Sequence, residues 1–209
     1  MIKTKNGDAT GSGLRGDTMR IKRSKKLTDL KWLNMFNIVY ADKAGRQRTW
    51  QVATREKTPK CVSGDFSGPD AVVIIPFHTH RKEVVITKEY RVPLADFEYG
   101  FPAGLVDADE TAEAAVRREL LEETGLTVTR FIKSSPPIYS SAGMTDESVA
   151  LVYVECEGDP SSAGNQGTEQ IEVIFVSADK AAVLCADASL KFDAKAWPVL
   201  ARYAEHGDL

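Results

Sequence analysis

The segment from Gly104 to Leu126 constrains this chain most, because it combines a helix signal with three closely spaced carboxylates. Glu122 and Glu123 follow Glu119 by three and four residues, which places the side chains on one face of a helix. Like charges at these spacings repel each other, and a divalent cation among them removes the repulsion. Oxygen-only ligands suit Mg²⁺ or Mn²⁺ better than zinc. The segment therefore predicts a helix with a cation site, and the alternative is a solvated acidic helix.

The limits of this helix are also visible in the sequence. Asp109 is expected to cap free amide groups at the start, and Gly125 is the usual residue for a left-handed stop at the end. Between them lies an apolar stripe, which is expected to face the core and to leave the other face to the carboxylates. The residues of this stripe are Ala112, Ala115, Val116, Leu120 and Leu121.

Composition limits the classes of protein that the chain can belong to. Its 209 residues can bury one sizeable core with a small subdomain, and the net charge of −3 provides no basic footprint for nucleic acid. No apolar run approaches the length of a membrane span, and the first residues lack the apolar core of a signal peptide. Cys61, Cys156 and Cys185 lack metal-type spacing and are expected to be reduced, buried thiols. We therefore predict a cytoplasmic protein without nucleic-acid or membrane partners.

The chain divides by composition into three parts. Residues 1–27 are rich in Lys, Arg, Gly, Thr and Ser and are expected to be disordered. Strand-like runs on either side of the turn at residues 42–45 predict a hairpin, which forms a small N-terminal β subdomain at residues 28–60. Residues 61–209 are expected to form the main domain.

The main domain is predicted to be of the α+β class. Apolar runs indicate strands before and after the acidic helix, and a mixed sheet covered by helices on both faces, an α/β/α sandwich, satisfies this pattern. The strands are expected near residues 71–77, 83–90, 127–133, 148–155 and 171–177, and two C-terminal helices near residues 178–186 and 195–205.

The acidic segment also resembles a known motif. Gly104, Glu110, Arg118-Glu119, the apolar Leu120, Glu122-Glu123, Gly125 and the apolar Leu126 reproduce every defined position of the Nudix box, with its spacing. The chain therefore resembles the Nudix hydrolases. This resemblance implies the Nudix fold, hydrolysis of a phosphoric anhydride, and a requirement for two or three Mg²⁺ ions, or Mn²⁺, in each site.

Within the box, the resemblance implies a set of metal ligands. Glu119 and Glu123 would bind the ions, and Glu122 would be a further ligand or act through water. A backbone carbonyl of the loop before the helix also coordinates a metal in this family, and here it would belong to Ala103. Gly104 would let this backbone approach closely, since it has no side chain.

Arg118 has two interpretations. It can form a structural ion pair, with Glu110 as its partner, or it can contact a substrate phosphate. We favour the ion pair, because its helical position is expected to point away from Glu119. By the same reasoning Glu110 is expected to be structural.

Segments beside the box resemble the ADP-ribose and ADP-sugar pyrophosphatases, a subgroup of the family. The matching residues are Glu89-Tyr90-Arg91-Val92-Pro93 and Phe101-Pro102-Ala103-Gly104-Leu105-Val106-Asp107. In that subgroup the arginine of the first segment grips the substrate diphosphate, which implies this role for Arg91. A guanidinium fork suits phosphate oxygens. The alternative for Arg91 is a surface residue at the end of a strand.

The N-terminal hairpin resembles the same subgroup, in which two tryptophans sandwich the adenine and each subunit of a homodimer contributes one. Trp32 and Trp50 occupy the matching positions, and Arg55 follows as a further substrate-binding residue. The resemblance therefore implies a homodimer. The alternative for each tryptophan is ordinary core packing.

Two departures from the subgroup leave the substrate open. Gly100 replaces an acidic residue often found before the Phe-Pro-Ala-Gly segment, although Glu98 lies two positions earlier. Gln51 replaces a glutamate that sometimes binds the adenine amino group. Nucleoside diphosphate sugars other than ADP-ribose therefore remain candidate substrates.

The general base is expected on a late loop. The resemblance implies Glu169, with Glu172 as a nearby competitor, and the alternative is a solvated loop acid. The predicted reaction is Mg²⁺-dependent hydrolysis of ADP-ribose or a related nucleotide sugar to a nucleoside monophosphate and a sugar phosphate. One alternative is cleavage of nucleoside triphosphates or dinucleoside polyphosphates. The other is a non-catalytic nucleotide-sugar sensor, which the complete box disfavours.

Overall fold

The computed structural model describes residues 19–161 and 170–209, which form two compact units. Unit 1 contains the described residues up to Asp65 together with Gly143–Asp146, and unit 2 contains Phe66–Ala142 and Glu147–Leu209. The distant segment belongs to unit 1 because Met144 accepts a backbone hydrogen bond from Ala53, at 2.8 Å. The sequence assigned this segment to the main domain, since nothing in its composition indicates this pairing.

Unit 1 is a small antiparallel sheet with one short helix. Its elements are β1 (Arg20–Lys26), β2 (Asn34–Ala41), β3 (Gln47–Thr54) and α1 (Lys60–Ser63). In the described residues the sheet order is β1-β2-β3. The predicted hairpin is confirmed as β2 and β3, and Gly45 adopts a φ of +78° in the turn between them.

Strand β1 lies within the segment for which the sequence predicts disorder, so the expectation is corrected for residues 20–26. The strand forms because its backbone pairs with β2 from Arg20 to Lys26, and this ladder does not depend on apolar side chains. Most of its side chains are exposed, which explains the basic composition. Residues 1–18 lie outside the described part of the chain.

Unit 2 contains the acidic helix and the larger sheet. Its elements are β4 (Ala71–His78), β5 (Glu83–Arg91), a 3-10 turn (Val92–Leu94), β6 (Asp96–Gly100), β7 (Ala103–Leu105), α2 (Ala112–Thr124), β8 (Thr127–Ser134), β9 (Ile138–Tyr139), β10 (Ser148–Glu157), β11 (Ile171–Val176), α3 (Ala178–Ala186), β12 (Lys191–Phe192) and α4 (Ala196–His206).

The sheet of unit 2 is mixed, as predicted. Among the described residues it has nine strands, with the central order β12-β6-β5-β4-β10-β8, and β11, β7 and β9 pair with β5, β4 and β10. The β4–β10 and β12–β6 pairs are parallel, and the other pairs are antiparallel.

Helices cover both faces of this sheet, which confirms the α/β/α sandwich. Val72 and Ile74 of β4 pack with α2 on one face, in a cluster that includes Val116. Val73 and Ile75 point to the other face and pack with α3 and α4. Because successive side chains of a strand alternate, a continuous apolar run indicates a strand buried on both faces.

The three cysteines differ in burial. Cys61, Cys156 and Cys185 are free thiols, but only Cys156 is fully buried, and Cys61 is exposed on α1. The expectation of a buried Cys61 is therefore wrong, because the short helix α1 places it at the surface.

None of the helices among the described residues has the length and apolar character needed to cross a bilayer.

Candidate functional site

Helix α2 begins with a side-chain cap and ends with a glycine cap. Thr111 is the cap residue, and its Oγ1 accepts a hydrogen bond from the backbone N–H of Ala114 at 3.2 Å. This corrects the expectation for Asp109, because a hydroxyl two positions later already satisfies the free amide. Gly125 ends the helix as predicted, with a φ of +74° and an N–H donated to the Leu121 carbonyl at 2.9 Å.

The buried stripe of α2 fixes the direction of its carboxylates. Ala115, Val116 and Leu120 are completely buried under the sheet, whereas Leu121 is 51% exposed. The expectation that Leu121 joins the stripe is wrong, because one residue advances the helix by about 100° and carries the side chain off the buried face. The side chain of Glu119 is only 13% exposed at the border of this face.

Gly104 lies against the carboxylate of Glu119. It is part of β7 and pairs with Val72 of β4, so its backbone position is set by the sheet. A Cβ atom built on Gly104 would lie 1.9 Å from Oε1 of Glu119. Only glycine therefore allows the backbone and this carboxylate to approach so closely. The predicted close approach of the backbone at Gly104 is present, and Glu119 is the side chain that it meets.

A second carboxylate reaches the adjacent residue of β7. The backbone N–H of Ala103 donates to Oε2 of Glu123 at 3.1 Å. Next to it, the carbonyl of Pro102 accepts from the N–H of Ile74 at 2.8 Å, which ties the loop to β4. Glu119 and Glu123, one helical turn apart, thus bracket the backbone at residues 103 and 104.

Arg118 is held by two groups beside the carboxylates. Its Nε and Nη2 donate to the two oxygens of Glu110, at 3.1 and 2.7 Å, so the predicted ion pair is present and bidentate. Nη2 also donates to the Leu105 carbonyl at 3.0 Å. The pair therefore fastens the loop before α2 to the helix.

Arg118 also contacts the acidic cluster, contrary to expectation. Its Nη1 donates to Oε1 of Glu119 at 2.6 Å and lies 3.5 Å from Oε2 of Glu122. The direction of a helical position does not by itself decide which groups a long side chain reaches. A long arginine side chain bends back along the helix, so neighbouring positions can still meet.

These contacts shift the ionisation of three groups. Burial raises the pKa of Glu119, and the Arg118 hydrogen bond opposes this rise. The hydrogen bond from Arg118 lowers the pKa of Glu110, and the same bond raises the pKa of Arg118. Arg118 therefore stays charged and keeps Glu110 ionised. Burial, in contrast, makes the ionised form of Glu119 less favourable.

The donor set fits a hard divalent cation in its chemistry, because it consists of three carboxylates and a backbone carbonyl. The closeness of the Gly104 backbone to Glu119 is the second feature that fits. In the described part of the chain, however, no three His, Cys, Asp or Glu side chains are gathered in the way that holds a metal ion. Glu119 and Glu123 instead engage Arg118 and the Ala103 amide, and they would exchange these partners for an ion.

Arg91 lies at the end of β5 between two acidic side chains. Its Nη1 donates to Oε1 of Glu89 at 3.0 Å, and its Nε donates to Oε2 of Glu98 at 3.4 Å. The sequence pattern alone does not indicate Glu89 as a site residue. The available signal was its position two residues before Arg91, which places both side chains on one face of a strand.

Comparison with known proteins identifies the family. A sequence model of the NUDIX domain matches residues 68–203, which is more than half of the chain. The chain belongs to the Nudix family. The matched range contains the whole Nudix box and strands β5 and β6, the first of which ends at Arg91.

Curated relatives cover part of the chain. It is 33% identical over 134 residues to an ADP-ribose pyrophosphatase of Saccharomyces cerevisiae, and 32% identical over 142 residues to an ADP-sugar pyrophosphatase of Mus musculus. It is 34% identical over 155 residues to a putative nudix hydrolase 2 of Caenorhabditis elegans. These alignments cover 64%, 66% and 70% of the chain and, in the same order, 56%, 61% and 66% of the relatives.

A solved structure supports the fold. The crystal structure of an ADP compounds hydrolase superimposes with a TM-score of 0.66, and the match covers 93% of this chain and 97% of that one. The sequences are 17% identical, so this similarity concerns the fold alone. It confirms that the sandwich of the Nudix protein has the predicted architecture.

The tryptophans of unit 1 do not belong to a core. Trp32 is 70% exposed and Trp50 is 51% exposed. The core-packing alternative is therefore wrong for both in this chain. Trp32 stacks under a cation, with Nζ of Lys31 4.2 Å from the ring centroid, and Arg55 is exposed one residue beyond β3.

Of the two candidates for the general base, Glu169 and Glu172, only Glu172 is among the described residues. Glu169 lies outside the described residues. Glu172 pairs with Lys88 across β11 and β5, with its Oε2 3.6 Å from Nζ. Strand alternation places both on the face that α3 and α4 cover, because Val84 and Ile86 of the same strand pack there. Glu172 is thus on the face opposite the box helix.

Proposed function

We propose that this Nudix protein hydrolyses the diphosphate bond of ADP-ribose or a related nucleoside diphosphate sugar, giving a nucleoside monophosphate and a sugar phosphate. One observation carries the proposal: Glu119 and Glu123 bracket the backbone at Ala103 and Gly104. The names of the yeast and mouse relatives support this substrate class.

The complete box provides the ligands for the cofactor. Glu119, Glu122, Glu123 and the Ala103 carbonyl would hold two or three Mg²⁺ ions, or Mn²⁺. Bound ions supply Lewis-acid stabilisation of phosphate charge and a more acidic water. Arg118 and Glu110 hold the segment before α2 against the helix, through the bidentate pair and the bond to the Leu105 carbonyl.

The remaining residues would bind the substrate and activate water. Arg91 would contact the diphosphate, because strand alternation from Val85 places it on the side of the sheet that carries α2. Trp32 and Trp50 would stack on the adenine from the two subunits of a homodimer, and their exposure supports a role in contacts. Arg55 would bind substrate, and Glu169 would act as general base. We expect the protein in the cytoplasm.

A product assay tests the activity. Purified protein is incubated with ADP-ribose, other nucleotide sugars, nucleoside triphosphates and dinucleoside polyphosphates, with Mg²⁺ or Mn²⁺, and both products are identified by chromatography. We expect AMP and ribose 5-phosphate from ADP-ribose. Preferential cleavage of triphosphates or dinucleoside polyphosphates would support the alternative enzyme class, and binding without cleavage would support the sensor.

Substitutions in the box test the assignment of the ligands. Glu119→Gln and Glu123→Gln are each expected to lower turnover by about a hundredfold or more, because each removes a charged metal ligand. Glu113→Gln is the matched control, since Glu113 is an exposed carboxylate in the first turn of the same helix. Near-normal turnover of both box variants would contradict the proposal.

A further inference from the structure

Two carboxylates face each other beside Arg91. Glu89 of β5 and Glu98 of β6 are direct partners in the antiparallel ladder. Carboxylates in such positions repel each other, so the pair is destabilising unless a cation lies between them. Arg91 follows on the same face of β5, and its guanidinium donates to both.

This acidic pair lies on the side of the sheet that carries the Nudix box. Val85 of β5 packs in one cluster with Val116 and Leu120 of α2. Alternation along β5 then places Glu89 and Arg91 on the α2 face, and Glu98 shares it as the partner of Glu89. From Glu98, the chain needs only five residues to reach Ala103 at the start of β7.

The contacts orient Arg91 and leave part of it open. A guanidinium has five N–H donors in one plane, and two of them are engaged by Glu89 and Glu98. The side chain is 47% exposed, and in the described part of the chain the other three donors have no protein acceptor. Two anchoring bonds fix the plane, so less side-chain entropy is lost when these donors bind phosphate oxygens.

The carboxylates also change the local charge. Together with Arg91 they form a group of net charge −1, whereas a free arginine would present +1. A nucleoside triphosphate carries about two more negative charges at pH 7 than a diphosphate bridge between two sugars, because of its terminal phosphate. The group therefore disfavours the more highly charged substrate and still offers hydrogen bonds to the bridge.

We propose that Glu89 and Glu98 position Arg91 for the bridging diphosphate and select against substrates that carry a terminal phosphate. This role rests on the proposed function, because it requires that Arg91 contacts the substrate phosphates. It extends that function by naming what discriminates a nucleotide sugar from a triphosphate.

Kinetics of charge-neutral variants provide the first test. Glu89→Gln and Glu98→Gln keep the shape and the acceptor oxygen of the side chain but remove its charge. For each, we expect the ratio of kcat/KM for ADP-ribose to kcat/KM for ATP to fall about tenfold, through a lower KM for ATP. Glu155→Gln is the control, because it removes a half-buried carboxylate from another cross-strand ion pair, with Arg130. An unchanged ratio in both variants overturns the proposal.

A double-mutant cycle shows whether the effect passes through Arg91. In an Arg91→Ala background, Glu98→Ala is expected to cause no further loss of kcat/KM for ADP-ribose, although alone it lowers this value about tenfold. If the two losses multiply, Glu98 does not act by positioning Arg91 and the proposal fails. Thermal unfolding of each variant separates these effects from loss of the fold.

Binding without turnover distinguishes this inference from the proposed function. Affinities for ADP-ribose and ATP are measured by calorimetry in EDTA, with the wild type and the Glu89→Gln and Glu98→Gln variants. A fall of the ADP-ribose preference in the variants supports selection by charge, even if no substrate is hydrolysed and the proposed function fails. An unchanged preference in a protein that does hydrolyse ADP-ribose overturns only the inference.

Discussion

At the scale of single residues, a missing side chain shapes the site as much as the charged ones do. Gly104 is held by the β7–β4 ladder, and Glu119 by α2 and Arg118. The absence of a Cβ lets these two elements meet. The structural role of this glycine follows from contact, because its φ is not in the left-handed region.

Gly104→Ala is expected to impair function more than folding. The added Cβ would overlap the carboxylate of Glu119, which is the flexible end of a side chain, so the carboxylate moves and the backbone stays. We expect kcat/KM to fall at least about tenfold and the free energy of unfolding to change by less than about 1 kcal/mol. Steady-state kinetics and denaturant unfolding measure the two effects.

Gly68→Ala is the control for this change, since a Cβ at Gly68 meets no atom within 4 Å and its φ is ordinary. A large loss of stability in Gly104→Ala, with Gly68→Ala unaffected, would show that the backbone and not the carboxylate gives way.

The ion pair of Glu110 with Arg118 predicts a pH dependence of stability. The pKa of Glu110 lies below its ordinary value of 4.5 in the folded protein, because Arg118 donates to it. The stabilisation is therefore fully present above pH 4.5 and is lost as the pH falls through the lowered pKa. The difference in free energy of unfolding between the wild type and Glu110→Gln should shrink in that acidic range. Urea unfolding between pH 3 and pH 7 measures it, and a constant difference would contradict the prediction.

At the scale of elements, periodicity predicted the helices and strands whose own residues carry an apolar pattern. Helix α2 and strand β4 carry their own apolar pattern, and the sequence located both. Strands β6 and β7 were not predicted, because their residues become strands by pairing with β5 and β4. The same reason explains β1, whose basic composition indicates no strand until β2 lies beside it.

The candidate site divides in a similar way. The box ligands follow from spacing, which a sequence displays directly. A close approach of the backbone at Gly104 was expected from the family, but Glu119 as its neighbour was not. The bond from Arg118 to Glu119 was not expected either, because it depends on a bent side chain. Glu89 was missed because its importance depends on Glu98, which reaches it only through the pairing of β5 with β6.

The two helix-ending glycines of unit 2 allow a matched comparison. Gly125 after α2 and Gly207 after α4 have nearly equal φ values, +74° and +72°. A Cβ on Gly207 meets no atom within 4 Å, whereas one on Gly125 would lie 2.7 Å from the backbone nitrogen of Ser161. Gly207→Ala is expected to cost about 1 kcal/mol, from the left-handed conformation alone. Gly125→Ala should cost at least about 2 kcal/mol, because backbone atoms must also move.

Chemical denaturation of both variants measures the two costs. Equal losses in free energy of unfolding would mean that the Ser161 segment moves away freely and that its contact with Gly125 does not stabilise the fold. A larger cost at Gly125 would show that the end of the box helix is fastened to the chain after β10, where the Ser161 N–H donates to the Thr124 carbonyl at 2.8 Å.

At the scale of the whole molecule, the two units differ in what stabilises them. Unit 2 has an apolar cluster on each face of its sheet, and in this unit Ile74 and Ile75 of β4 are completely buried. Unit 1 has a small cluster formed by Phe36, Ile38 and Val52. Burial of apolar surface is the main favourable contribution to folding, so the units are expected to differ in local stability.

Hydrogen exchange followed by mass spectrometry measures this difference. Amides of β4 are expected to exchange only through global unfolding, because neighbouring strands pair with it and helices cover both faces. Amides of β1 should exchange at least about a hundredfold faster, since among the described residues this strand pairs with β2 alone and is mostly exposed. Equal protection of β1 and β4 in dilute protein would contradict this prediction. If protection of β1 rises with protein concentration while that of β4 does not, a second copy covers the strand, as a homodimer built through unit 1 requires.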